Sequence, residues 1–246
     1  MTLTNEETRR YARHIVLKGM GGSGQQALKN ARVLVVGAGG LGSPAIAYLA
    51  GAGVGRLGII DHDTVSVSNL QRQVIHAGAD IGRNKAESAG DFAHDLNPHV
   101  TLDIHPFRLD AEIAAQLVAD YDLVLDGTDN LTTRRITAAA CEAQKRPLVS
   151  GAVSMFDGQL TIFAPHLSLA DGRPAPRFTD LYPEAADDAD LPSCEATGIL
   201  GPLTGVIGTL MAMEAIKWIT GIGEPLLGRL LLYDGKTARF SEFAYA

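Results

Sequence analysis

Asp61, Arg72, Lys85 and Asp129 all follow apolar runs that read as strands, and they share one chain with a glycine-rich turn. The turn is Gly37-x-Gly39-x-x-Gly42, entered directly from Arg32-Val-Leu-Val-Val36. Gly37 permits a tight turn, Gly39 lets a phosphate approach the backbone, and Gly42 allows close helix packing. A helix starting there offers unpaired N–H groups to an anion. The same glycines also suit a plain strand–helix corner. Asp61, 19 residues past Gly42 at the end of the next strand-like run, fits the carboxylate that accepts from ribose hydroxyls. Together these residues indicate a nucleotide without saying which.

Arg72 and Lys85 extend the reading. Taken singly, each also reads as a surface charge. Both lie just beyond the second strand, whose carboxyl end faces the glycine turn, and two cations exceed what a dinucleotide pyrophosphate needs. They suit a triphosphate that sheds pyrophosphate, because fixed positive charge stabilises the negative charge that develops. Asp129 follows the strand-like Asp122-Leu-Val-Leu-Asp126 in another loop at the carboxyl edge, where such sheets bind ligands. A carboxylate there suits magnesium beside phosphates; Asp129 and Asn130 equally suit a helix N-cap. The chain has no G-x-x-x-x-G-K-[ST] motif, which disfavours ordinary P-loop hydrolysis.

The elements that must position these groups alternate. Strand-like runs cover 32–36, 57–61, 100–105, 122–126 and 147–151, and helix-like runs cover 41–53, 83–96, 111–119 and 130–145. That alternation means βαβ units and a parallel sheet. Thr4-Asn-Glu-Glu7 has capping-box spacing, so a helix starts there and carries Arg9, Arg10, Tyr11, Arg13 and His14. The glycines of 19–24 are expected to end it. After Gly151, residues 158–164 read as a strand and 165–197 as a long Pro-, Asp- and Ala-containing loop, a length typical of lids and binding loops. A helix near 205–220 and strands near 229–233 and 238–243 close the chain. The expected fold is a Rossmann-like, doubly wound α/β sheet, mostly parallel and extended by antiparallel C-terminal strands. It forms a single domain over 1–246.

Bulk properties set the exclusions. The 246 residues are 46% apolar and 20% charged, enough for a sizeable core. A formal charge of -7 argues against a nucleic-acid partner. The uncharged stretch Ala196–Met213 is at the lower limit for a membrane span. It holds Pro202 and several glycines, so it reads as a loop leading to a buried helix, with no membrane. The N-terminus has no signal-peptide h-region. Two cysteines, Cys141 and Cys194, make neither a disulfide framework nor a four-cysteine zinc site, so the expected compartment is the cytoplasm.

These strings resemble the MoeB/ThiF adenylyltransferases, whose fold is related to that of ubiquitin-activating enzymes. The matching pieces are 10–15 (Arg-Tyr-Ala-Arg-His-Ile), 37–42 (Gly-Ala-Gly-Gly-Leu-Gly), 61–73 (Asp-His-Asp-Thr-Val-Ser-Val-Ser-Asn-Leu-Gln-Arg-Gln), 82–85 (Gly-Arg-Asn-Lys), 126–130 (Asp-Gly-Thr-Asp-Asn), 194–202 (Cys-Glu-Ala-Thr-Gly-Ile-Leu-Gly-Pro) and 211–217 (Met-Ala-Met-Glu-Ala-Ile-Lys). They occur in the family's order over nearly the whole chain, and the 61–73 string is highly specific. The resemblance implies ATP- and magnesium-dependent activation of the C-terminal Gly-Gly carboxylate of a ubiquitin-like sulfur carrier, in molybdopterin or thiazole synthesis. It gives Gly40 and Asp61 contacts to the nucleotide, Asp61 holding the ribose. It puts Ser68, Asn69, Gln71, Arg72 and Lys85 around the phosphates and counts Asp63 and Leu70 with them. Asp129 is assigned to magnesium and Asn130 to the adjoining edge. Arg13 resembles an arginine that reaches into the partner subunit of a homodimer. The nucleotide-binding core is then about 30–152, with the carrier-binding loop and C-terminal part about 153–246.

Two features depart from the family or stay open. Family members usually carry two C-x-x-C pairs that bind structural zinc. Here the first would fall near 177–180 (Arg-Phe-Thr-Asp) and the second after Phe243, and neither place has a cysteine. Zinc needs thiolate or imidazole ligands, so no zinc is expected. Cys194 aligns with a cysteine that ThiF-like members link covalently to the carrier, and it equally reads as an inert loop cysteine. Cys141 reads as core. The alternatives are an NAD-dependent oxidoreductase, which leaves Arg72, Lys85 and Asp129 without a task, and a non-catalytic carrier-binding scaffold.

Overall fold

Runs such as Arg32-Val-Leu-Val-Val36 form strands that can be covered on both faces, because both sets of alternating side chains are apolar. In the computed structural model, which describes residues 2–183 and 198–245, five such runs form the parallel part of one eight-stranded sheet. They are β1 (Arg32–Val36), β2 (Arg56–Ile60), β3 (Thr101–His105), β4 (Leu123–Asp126) and β5 (Leu148–Ser154). The antiparallel strands β6 (Asp157–Phe163), β7 (Arg229–Asp234) and β8 (Arg239–Ala244) continue it. The order is β3-β2-β1-β4-β5-β6-β7-β8, as expected for a doubly wound sheet with antiparallel C-terminal strands. Connections reverse direction between β1 and β4, the switch point where such sheets bind ligands. Val36 is level with both Ile60 and Asp126, so three strand ends open at one height.

Helices cover both faces. One core packs Val33, Val35, Leu57 and Ile59 under α3 (Gly21–Asn30), α4 (Gly42–Ala52), α5 (Lys85–Leu96) and α9 (Gly201–Thr220). The other packs Leu34, Val36, Ile60 and Val124 under α6 (Ala111–Leu117), α7 (Leu131–Ala143) and the short α8 (Phe178–Leu181). Each fully buried leucine or isoleucine contributes roughly 1.5–3 kcal/mol. No helix among the described residues is long and apolar enough to cross a membrane.

Several boundaries differ from the sequence reading, and two helices were not expected: α3, and α8 within the stretch read as a long loop. The glycines of 19–24 do not merely end the N-terminal helix. That helix breaks at Tyr11 into α1 (Asn5–Arg10) and α2 (Ala12–Ile15), and Gly21 then opens α3. Tertiary packing overrides glycine's poor propensity here: a Cβ on Gly24 would sit 2.7 Å from the Met20 sulfur, and buried Gln25 donates to the Ala52 carbonyl at 2.7 Å. The last helix starts at Gly201, not near 205, because Pro202 fits a first turn whose N–H groups are unpaired in any case.

The places where zinc cysteines would stand are tied to one face of β6. Phe178 packs edge-on against Phe163 at 5.5 Å and stacks on Tyr182 at 4.7 Å. The Tyr182 hydroxyl accepts from Gln159. Near the C-terminus, the Tyr245 hydroxyl lies 2.8 Å from Thr161 Oγ1. Tyr245 is the donor in that pair, because the Thr161 proton goes to the Arg229 carbonyl at 2.8 Å. Residues 159, 161 and 163 alternate along the strand and so share a face.

Candidate active site

The ends of β1, β2 and β4 open into a cavity of about 380 Å³. Gly37, Gly39, Gly40, Asp61, Asp63, Arg72, Lys85, Asp129 and Asn130 all line it. Gly37 adopts φ +92°, a left-handed conformation that glycine tolerates. A Cβ on Gly42 would lie 1.8 Å from the Gly37 carbonyl, so this glycine lets α4 start against the turn. Gly42 itself, Ser68, Asn69, Leu70 and Gln71 are not on the cavity wall. Instead, Asn69 is buried and its side-chain oxygen accepts from the Ser66 N–H at 3.1 Å, while Ser68 Oγ lies 2.9 Å from Ser66 Oγ. Arg72 Nη1 donates to the Ser68 carbonyl at 3.1 Å. A Cβ on Gly201 would meet the Gln71 carbonyl at 2.3 Å, so the loop rests on the start of α9. The 66–71 turn is thus a pedestal that presents Arg72.

Asp61 is tied to the turn. One oxygen accepts from the Ala38 N–H at 2.8 Å and the other from the Asp63 N–H at 2.9 Å. Burial pushes its carboxyl above the ordinary range, opposed by the nearby Lys85 charge and these two N–H groups. Lys85 is buried, and its ammonium donates to Asp63 at 2.9 Å. Burial alone would raise the Asp63 carboxyl, but the Lys85 hydrogen bond and charge outweigh it and hold it below the usual value.

Asn130 caps α7, its side chain accepting from the Thr133 N–H at 2.8 Å. Asp129, beside it, lies exposed on the cavity wall and is not the cap. Arg13 is exposed on α2 and does not line the cavity. Cys194 lies outside the described residues. Cys141 is buried, and burial pushes its thiol well above the ordinary range.

Other wall residues carry no glycine or motif signal. Arg134 is buried and donates to the Thr128 carbonyl at 2.7 Å and to the Gly151 carbonyl at 2.5 Å, fixing the loop that carries Asp129. Behind the wall, Asp126 of the 126–130 string is fully buried, with one oxygen accepting from the Thr128 N–H at 3.0 Å and the other without a hydrogen-bond partner among the described residues. Phe107 and Arg108 follow β3 on the wall, where the rule that ligands bind at carboxyl ends would have found them. Away from the glycine turn, the cavity runs to Ala152, Ser154, Gly158 and Gln159 on the β5–β6 hairpin and to Leu232 on β7. The arrangement brings glycine N–H groups, cations and carboxylates to one cavity that extends to the β5–β6 hairpin.

Known proteins resemble this chain in sequence and in fold. The chain is 49% identical over 235 residues to a probable adenylyltransferase/sulfurtransferase, MoeZ, of Mycobacterium tuberculosis, covering 94% of this chain and 58% of that protein. It therefore spans little more than half of that relative. It is 47% identical over 242 residues to the molybdopterin-synthase adenylyltransferase of Escherichia coli (98% of this chain, 93% of the relative). It is also 45% identical over 240 residues to a sulfur carrier protein adenylyltransferase of Thermus thermophilus (98% and 88%). The fold matches crystal structures of PaaA (TM-score 0.81, 24% identity, 99% of this chain and 75% of that one) and of E. coli MccB with ATP (0.80, 20%, 99% and 72%). The ThiF family matches residues 11–246, and this chain belongs to that family.

Proposed function

We propose that this protein adenylylates the C-terminal Gly-Gly carboxylate of a ubiquitin-like sulfur carrier, forming an acyl-adenylate and pyrophosphate from ATP, within molybdopterin or thiazole synthesis in the cytoplasm. The observation that carries the reading is the convergence of Asp61, Arg72, Lys85 and Asp129 with the glycine turn on one cavity. That cavity continues along the β5–β6 hairpin. The names borne by the E. coli and Thermus relatives support the same chemistry.

In this reading the Gly39 and Gly40 N–H groups and Arg72 hold the phosphates, Asp61 accepts from the ribose, and Phe107 flanks the base. The carrier tail is assigned to the part of the cavity lined by Ala152, Gly158 and Gln159. Its carboxylate, already ionised at neutral pH, attacks the α-phosphorus as the bond to the β-phosphate oxygen breaks. The electron pair leaves with pyrophosphate, whose charge Arg72 and Lys85 offset. No general base is required. Asp129, a hard oxygen donor on the wall, would hold magnesium, which neutralises phosphate charge when bound.

Arg13 is assigned to the cavity of a second copy in a homodimer. Its neighbours Val16 and Leu17 are 74% and 56% exposed, apolar surface suited to such a contact. Cys194 is the residue proposed to bond covalently to the carrier. A binding titration separates this reading from an NAD-dependent oxidoreductase: ATP–magnesium is expected to bind and NAD not, and the reverse order would refute it.

A further inference from the structure

We infer that His76 is a positioning residue that aims the Gly39 N–H into the nucleotide cavity by gripping the Ala38 carbonyl from behind. The inference rests on the nucleotide reading above. His76 is buried, with Nε2 3.0 Å from the Ala38 carbonyl oxygen and Nδ1 2.8 Å from Ser88 Oγ on α5. A carbonyl only accepts, so Nε2 carries the proton. Ala38 and Gly39 share one peptide unit, and the chain has no cis bond. In a trans peptide the C=O and the following N–H point in opposite directions. With the carbonyl turned to His76, the Gly39 N–H points away from the histidine. Gly39 lines the cavity, while Ala38 is fully buried and does not.

The preceding peptide is fixed as well, since the Ala38 N–H donates to Asp61 at 2.8 Å. Ala38 is thus held at both polar atoms, by the side chain assigned to the ribose and by His76. Neither the Gly39 nor the Gly40 N–H donates to an acceptor among the described residues, which leaves both for an anion. An unclamped glycine peptide flips readily, because glycine takes positive and negative φ with similar ease. The clamp removes that freedom before the nucleotide arrives, and preorganised donors are what an anion site requires.

The clamp keeps its sense whether the imidazole is neutral or charged. Burial, foremost, keeps His76 from protonating, as does the nearby Lys85 charge, while the Ala38 carbonyl, Asp80 and Asp61 oppose it. With a neutral ring, Ser88 donates to Nδ1. With a charged ring, Ser88 accepts from Nδ1 and turns its proton to Asp80, which it also reaches. Nε2–H faces Ala38 in both cases.

Glutamine and asparagine test this, because the glutamine amide nitrogen overlies histidine Nε2 and the asparagine amide overlies Nδ1. His76→Gln keeps the grip on Ala38, whereas His76→Asn keeps only the reach to Ser88. By direct titration, His76→Asn is expected to weaken ATP–magnesium binding on the order of tenfold, the effect of losing one well-placed hydrogen bond, and His76→Gln to stay within about twofold. KM for the carrier should be unchanged in both. Wild-type affinity in His76→Asn, or equal losses in both variants that track their melting temperatures, would overturn the inference while leaving the adenylylation reading intact. A wild-type protein that binds no ATP overturns both.

Discussion

Lys85 Nζ lies 2.9 Å from Asp63 Oδ2, with the lysine side chain 8% exposed and the carboxylate 54% exposed. The cation assigned to the pyrophosphate is therefore already neutralised before nucleotide binds. In the proposed reading phosphate oxygens replace the Asp63 carboxylate, so the pair acts as a placeholder that keeps a buried ammonium from standing alone. Asp63→Asn removes the placeholder. The free protein is expected to lose about 1 kcal/mol of stability, seen as a lower melting temperature. Saturating ATP–magnesium should close the gap, because phosphate then supplies the missing charge. A gap of the same size with and without nucleotide would count against the exchange of partners.

The glycine-turn end of the cavity was legible in the sequence because its residues follow local rules. Gly37 needs a positive φ, Gly42 needs close approach, and Asp61 directly follows a strand. The 66–71 turn was harder. The resemblance puts Ser68, Asn69 and Gln71 at the phosphates, whereas the folded loop has Asn69 holding its own backbone and Gln71 against Gly201. A string cannot distinguish a residue that touches a ligand from one that supports its neighbour. Arg134 and His76 were missed for a related reason: each acts by gripping a carbonyl far along the chain, at Gly151 and Ala38. Helix α3 was hidden by its glycines, since only contacts with Met20 and Ala52 make them necessary or tolerable there. The grip of Tyr182, Tyr245 and Phe178 on β6 likewise joins segments that no local pattern connects.

Glu7 anchors the arm that carries Arg13. Its carboxylate accepts from Lys29 at 2.7 Å and from the Thr4 N–H at 2.7 Å. Burial pushes this carboxyl up, but the Lys29 and Thr4 hydrogen bonds outweigh it and lower it from 4.5 to about 2. A group depressed on folding stabilises fully above its unfolded value and loses that contribution as pH falls through its folded value. Glu7→Gln should therefore lower the melting temperature at pH 7, by about 1–3 kcal/mol of stability. The difference from wild type should shrink as pH falls from about 4.5 toward 2. A difference that stays constant across that window would contradict the assignment.

Cys141 is sealed, its side chain packed among Leu148, Phe163 and Phe178. A thiol held this far above its ordinary range is a poor nucleophile. In Cys194→Ala protein, thiol reagents at pH 8 are expected to leave Cys141 unmodified until denaturant is added. Any covalent adduct formed with carrier and ATP should vanish in Cys194→Ala and persist in Cys141→Ala, as read by intact mass. Loss of the adduct in Cys141→Ala alone would reverse the assignment.

The central claim is that one cavity holds ATP and a carrier carboxylate together, and carrier-dependent exchange of labelled pyrophosphate into ATP tests it most directly. Wild-type protein with magnesium and a carrier ending in Gly-Gly is expected to exchange label. Removing the two terminal glycines should abolish exchange. Arg72→Ala, which takes away a fixed charge from the departing pyrophosphate, should slow it by about 100-fold or more. Exchange that proceeds equally well without the carrier, or at an unchanged rate in Arg72→Ala, would contradict the account.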